Sequence, residues 1–151
     1  MKTKRSIASL ILGAGLCASA AAFAGASVSD AADAVSSALP AEHRLGDVTF
    51  RSGGVGDDEV AAMKQAATQY PLELLFVVKD ESGRSAYGAA DLVTIRNVFE
   101  EVVLDTRSEG PILLVRLEPG KYTVEAAHNG QSQKRTVTLV RDQHARLIFL
   151  W

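Results

Sequence analysis

Hydrophobic and polar positions alternate most regularly between Ile112 and Val140, in the stretch ILLVRLEPGKYTVEAAHNGQSQKRTVTLV. Three runs, Ile112 to Leu117, Tyr122 to Ala127 and Ser132 to Val140, are separated by two turn signals. A period of two sends successive side chains to opposite faces, so each run reads as a half-buried strand. Glu118-Pro119-Gly120-Lys121 presets φ at Pro119 and predicts a type II turn with positive φ at Gly120. Asn129-Gly130 predicts a type I′ hairpin turn, which needs positive φ at both central residues. Pro119, Gly120, Asn129 and Gly130 are therefore expected to set the fold. Tyr122, Val124 and Ala126 share the face between the turns and are expected in the core.

Upstream, Asp47 to Ser52 alternates briefly, with Val48 and Phe50 on one face, and predicts an edge strand. After Gly53-Gly54-Val55-Gly56, the spacing of Val60, Met63, Ala67 and Tyr70 predicts an amphipathic helix from Asp57 to Tyr70. Asp57, Asp58 and Glu59 complement its dipole and Pro71 stops it. Leu72 to Val78 is apolar on both faces after Glu73, the mark of a covered central strand. Lys79 to Ala90 reads as a loop. Leu92 to Arg96 and Val98 to Asp105 read as strands bent at Asn97, and Thr106 to Pro111 as a turn. Arg141 to His144 turns the chain into a last strand, Ala145 to Trp151. The sum predicts a mainly β fold, a seven-strand antiparallel sandwich with one N-terminal helix. Residues 47–71 carry the edge strand and helix and 72–151 the sandwich, together one domain.

The N-terminus has a different pattern. Lys2, Lys4 and Arg5 precede an apolar stretch from Ile7 to Phe23, and Ala22-Phe23-Ala24 supplies a small-x-small cleavage signal. Residues 1–24 are thus expected to be a signal peptide cut between Ala24 and Gly25, which predicts a periplasmic or secreted protein without a membrane span. Cys17 sits inside the leader behind Leu16, which is wrong for lipoprotein processing. Residues 25–46 are rich in Ala and Ser and predict a flexible linker, with His43 solvated beyond it. No cysteine follows residue 24, which excludes disulfides and thiolate chemistry there. Three of the 16 Lys+Arg lie in the leader, so 13 face 18 Asp+Glu afterwards, a net charge of −5. That balance argues against nucleic acid as a partner.

Candidate chemistry is sparse. Gly53-Gly54-Val55-Gly56 precedes a helix, but Asp57, Asp58 and Glu59 occupy the place where a phosphate would dock. His43, His128 and His144 lie far apart without metal-ligand spacing, and no Gly-x-Ser-x-Gly elbow occurs. No catalytic, cofactor or metal residues are assigned, and no cofactor is expected. Leu147, Phe149 and Trp151 alternate like the last strand of a membrane β-barrel, yet the strands are shorter than the roughly 9–11 residues a span needs. Lys134, Arg135, Arg141 and Arg146 gather positive charge near the end of the chain. Lys134, Arg135 and Arg146 with Trp151 form the candidate binding surface.

Leu117-Glu118-Pro119-Gly120-Lys121-Tyr122-Thr123-Val124 resembles the L-x-P-G-x-Y-x-V signature of carboxypeptidase regulatory-like domains, relatives of the transthyretin-like and Cna B-type sandwiches. The likeness covers roughly Leu72 to Trp151 and implies a seven-strand prealbumin-like fold. It does not imply hydroxyisourate hydrolysis, because the chain ends Ile148-Phe149-Leu150-Trp151 instead of Tyr-Arg-Gly-Ser. A Cna-type isopeptide bond is not implied either, since Ala145 to Trp151 offers Lys79 no Asn or Asp. The expectation is an exported, non-enzymatic module that binds a partner protein or a cell-envelope glycan. A small hydrolase with a dispersed site and a structural accessory of an outer-membrane complex are the alternatives.

Overall fold

The computed structural model describes residues 38–151; the expected leader, residues 1–24, and residues 25–37 of the expected linker lie outside them. The fold is mainly β, with two sheets. Sheet A runs β1 (His43–Leu45), β2 (Val48–Gly53), β7 (Ile112–Arg116), β3 (Leu72–Lys79), β10 (Ala145–Leu150), with β4 (Ser85–Tyr87) also paired to β3. Sheet B runs β6 (Val102–Thr106), β5 (Leu92–Arg96), β8 (Gly120–His128), β9 (Gln131–Leu139). One helix, α1 (Asp57–Ala67), follows β2.

The strand alternation explains the layers. Leu72, Leu74 and Phe76 of β3 turn inward with Val48, Phe50, Leu113, Val115 and Phe149, and meet Val93, Ile95, Leu104, Val124 and Ala126 of sheet B. On the outer face of sheet A, Leu75, Ile112 and Leu114 are covered by Met63, Ala66, Ala67 and Tyr70. Small alanines on α1 let the helix lie close to the sheet, which accounts for a β3 apolar on both faces. The helix begins at Gly56, and the Glu59 carboxylate accepts the Gly54 N–H at 2.6 Å. The glycine loop is thereby closed by the chain's own anion.

Several sequence expectations change. Ten strands replace seven among the described residues: the expected edge strand, β2, joins sheet A, and short pairings at β1 and β4 lie in the expected linker and in the Lys79–Ala90 loop. The sandwich is not wholly antiparallel: β10 runs parallel to β3, Ala145 opposite Leu72. Residues 141–144 carry the chain from sheet B across to sheet A, where the Ala145 N–H meets the Pro71 carbonyl at 2.9 Å. β2 is not an edge, since β1 and β7 flank it. The helix stops at Ala67, and Tyr70 follows in a turn whose N–H reaches the Ala67 carbonyl. The strand expected from Val98 starts only at Val102. Asn97 Oδ1 takes the N–H groups of Phe99 and Glu101 at 2.9 and 3.0 Å and Glu100 sits at φ 60, so this backbone cannot join a ladder.

The two turns also part company. Asn129 and Gly130 have φ of 48° and 77°, as a type I′ turn requires. Gly120 is not in the left-handed region; it opens β8 opposite Leu139. The β7–β8 connection is held instead by Tyr122, whose buried ring carries a hydroxyl that donates to the Glu118 carbonyl at 3.0 Å. A Cβ on Gly120 would meet the Tyr122 ring at 3.5 Å, ordinary contact, so Gly120→Ala is expected to change stability by less than about 0.5 kcal/mol. Gly130→Ala, forced to φ 77, is expected to cost about 1 kcal/mol in urea denaturation.

Candidate functional site

The register of sheet A builds a polar cleft beside α1. Phe50 and Ser52 point inward, so Arg51 points out, and Thr49 pairs with Arg116, which brings a second guanidinium to the same face. Tyr70 enters from the turn after α1, Gln65 and Gln69 line the rim, Ala62 and Ala66 form a wall, and Leu39 and Glu42 close the side. The cleft is open to solvent on one side and has a volume of about 510 Å³. Residues 38–46, expected as linker, are tied down here: Leu39 packs against the helix cluster and Pro40 O accepts from Arg51.

A chain of hydrogen bonds fixes the cleft. Arg51 Nε donates to Tyr70 Oη at 2.8 Å, and Tyr70 Oη donates to Glu42 Oε1 at 2.6 Å. Arg116 lies over the Tyr70 ring, 4.8 Å from its centroid. Among the described residues no hydrogen bond or ion pair engages the Arg116 guanidinium, which keeps all its donors. The Tyr70 hydrogen bond, helped by Arg51 and Arg116, outweighs slight burial and holds the Glu42 carboxyl below its usual range. Burial first, and the Glu42 carboxylate second, push the Tyr70 phenol up.

These shifts fix the pH response. A lowered carboxyl pKa makes the unfolded state take up protons first, so the Glu42 contribution is intact above about pH 4.5 and is lost as pH falls below it. A raised phenol pKa makes the unfolded state lose its proton first, so the Tyr70 contribution declines as pH rises through 10. Thermal melts from pH 3 to 11 are expected to show both losses, the alkaline one reduced in Tyr70→Phe and the acid one in Glu42→Gln.

A second polar centre lies one strand away. Glu73 is buried on the outer face of β3, with Oε2 3.1 Å from His144 Nε2 and Oε1 3.3 Å from Arg146 Nε. The Tyr70 carbonyl, 2.8 Å from His144 Nδ1, can only accept, so Nδ1 carries a proton. One further proton then closes the Nε2–Oε2 contact. Both imidazole nitrogens are engaged, Nδ1 with the Tyr70 carbonyl and Nε2 with Glu73.

The expected binding surface assembles only in part: Arg135 and Trp151 both pack on the Phe149 ring, while Lys134 and Arg146 lie apart from them. Lys134 lies on the outer face of sheet B, 3.7 Å from Glu125. Arg135 points the other way, its guanidinium 5.5 Å from the Phe149 ring centroid. Arg146 is on the outer face of sheet A with Glu73. Trp151 caps the end of the core against Phe149, Phe76 and His128, with ring centroids 6.0, 6.2 and 5.5 Å apart. Alternation along β9 and the separation of the sheets scatter residues that are close in sequence.

Sequence reasoning missed Glu42, Arg51, Arg116 and the polar role of Tyr70. Glu73 did carry a signal, since a lone carboxylate in a strand covered on both faces must find a cationic partner. No motif announces the cleft, which joins three separate segments. Phe99 is a further exposed feature, 79% accessible at the tip of the braced 97–101 loop, next to exposed Val98 and Val102. No group of three or more His, Cys, Asp or Glu suited to a metal occurs among the described residues. No helix among them is long and apolar enough to cross a membrane. No protein-family model matches the chain, and no curated protein is significantly similar to it.

Proposed function

We propose that the protein is an exported, non-enzymatic binding module that takes a cell-envelope glycan in the cleft between α1 and sheet A. The observation that carries this reading is Arg116, a guanidinium that lies over the Tyr70 ring with no hydrogen-bond or ion-pair partner among the described residues, beside a cleft of about 510 Å³ in which Arg51, Tyr70 and Glu42 are tied to one another. A volume in the roughly 300–1,000 Å³ range suits a small ligand, and preset side chains lower the entropy cost of binding it. The leader pattern of residues 1–24 supports periplasmic or secreted placement. The Leu117–Val124 motif supports assignment to the carboxypeptidase regulatory-like sandwiches, since Tyr122 and Val124 occupy the main core and the Tyr122 hydroxyl braces the turn. The test is a titration of soluble envelope-glycan fragments into the purified protein, followed by NMR. Shifts at Gln65, Gln69 and Arg116 are expected; a folded protein in which no fragment moves these signals would refute the reading.

Phe99 favours a second reading, a partner protein with an apolar pocket and a basic rim. The loop holds an aromatic ring in water at the expense of no core contact, and Glu100 and Glu101 beside it supply negative charge for complementarity. Phe99→Ser should leave the melting temperature unchanged; on this reading it abolishes binding to that partner, and retention of full affinity would dismiss it.

A further inference from the structure

We propose that the cleft selects a carboxylate-bearing sugar, a hexuronate unit, and that Arg116 is the specificity residue that reads the acid; this rests on the cleft being a glycan site. Neutral sugars are usually held by stacking on an aromatic face as well as by hydrogen bonds. Among the described residues Tyr70 is the only aromatic ring lining this cleft, and the Arg116 guanidinium already lies over it at 4.8 Å. Binding must therefore draw on charged hydrogen bonds, and Arg116 is the guanidinium with every donor still to give among the described residues. Arg51 is held in place by its bonds from Nε to Tyr70 and from Nη1 to Pro40, which use two of its five donors.

The remaining groups refine the choice of anion. A planar guanidinium fork matches a carboxylate in a bidentate geometry, and its position over the Tyr70 ring presets the plane of that fork. Arg51 and Arg116 against Glu42 leave the cleft one positive charge in excess. That excess suits an anion, and a single negative charge balances it. Glu42 Oε1 takes the Tyr70 hydroxyl, and Oε2 makes no hydrogen bond among the described residues, so it is an acceptor for a sugar hydroxyl. The carboxamides of Gln65 and Gln69 on the rim add donors and acceptors for further hydroxyls. One acid and several vicinal hydroxyls on a compact ring is the chemistry of a uronate.

The experiment compares digalacturonate with the neutral digalactose, inorganic phosphate and a tetraglutamate peptide, by calorimetry and by NMR of the Gln65 and Gln69 amides. Digalacturonate is expected to bind at least about tenfold more tightly than the other three, since digalactose lacks the charge-assisted pair and phosphate and the peptide lack the ring hydroxyls. Arg116→Gln should remove that preference, bringing digalacturonate down to about the affinity of digalactose, with the melting temperature as the control for folding, since Arg116 is exposed. Arg116→Lys should recover part of it, keeping charge without the fork. Equal binding of both disaccharides, indifferent to Arg116→Gln, overturns the uronate assignment and leaves the glycan cleft standing. Phosphate or the peptide binding as tightly as digalacturonate overturns it in favour of a general anion site. Neither disaccharide shifting the cleft amides overturns both readings.

Discussion

Replacing both cations around Glu73, as His144→Ala with Arg146→Ala, is expected to cost about 3 kcal/mol or more, and adding Glu73→Leu is expected to recover most of that loss. Glu73 is only 5% exposed, and among the described residues its two oxygens have no partners besides these two side chains. Stripped of them, a buried carboxylate either stays charged without compensation or takes up a proton, and both are costly. The cations differ: His144 and Arg146 side chains are 31% and 45% accessible, so each can turn to water when Glu73 is removed. Glu73→Leu alone should therefore be tolerated, within about 1 kcal/mol, beside Leu114 on the same face. The asymmetry is the measurable point, read as urea midpoints of the single, double and triple variants. If Glu73→Leu alone destabilised more than the double cation variant, the carboxylate would be a net source of stability rather than a buried charge kept in check.

The same comparison shows what the sequence could carry. Alternation and turn chemistry act over a few residues, so Asn129-Gly130, the β8 and β9 runs and the position of α1 are legible directly. Partnership between strands is a long-range choice, and nothing local in Ala145 to Leu150 says that it will lie parallel to β3 instead of antiparallel to a neighbour. Glycines were legible only where φ decides. Gly110 matters for space: a Cβ there would collide with the Gly53 carbonyl, a contact between segments 57 residues apart in the chain. Pro119-Gly120 misled for the complementary reason. The pair suits a type II turn, but the buried Tyr122 ring and its bond to Glu118 dictate the backbone there. The cleft was illegible because Glu42, Arg51, Tyr70 and Arg116 are ordinary surface residue types, and only the β2–β7 register and the end of α1 bring them together.

Trp151→Ala is expected to lower stability by about 2–3 kcal/mol, below the ~3–5 kcal/mol of a fully buried aromatic because the ring is partly accessible. The ring stacks on Phe149 at an interplanar angle of 17°, touches Phe76 and His128, and its Nε1–H donates to the Gln131 carbonyl at 3.2 Å. Its backbone extends the β10–β3 ladder, with Trp151 N donating to Val77 O and Lys79 N donating to Trp151 O. Truncation leaves that ladder intact but opens the end of the core to water and strips one face of Phe149. Arg135, on the neighbouring strand over the same ring, cannot refill the gap with apolar contact. Lys134→Ala, by contrast, removes a largely exposed ion pair with Glu125 and should move stability by less than about 0.5 kcal/mol. The pair of variants separates folding from binding on a surface where sequence placed both residues together. Trp151→Phe should restore most of the loss by refilling the stack, while a Trp151→Ala protein with an unchanged melting temperature would return the ring to the surface as a contact for a partner.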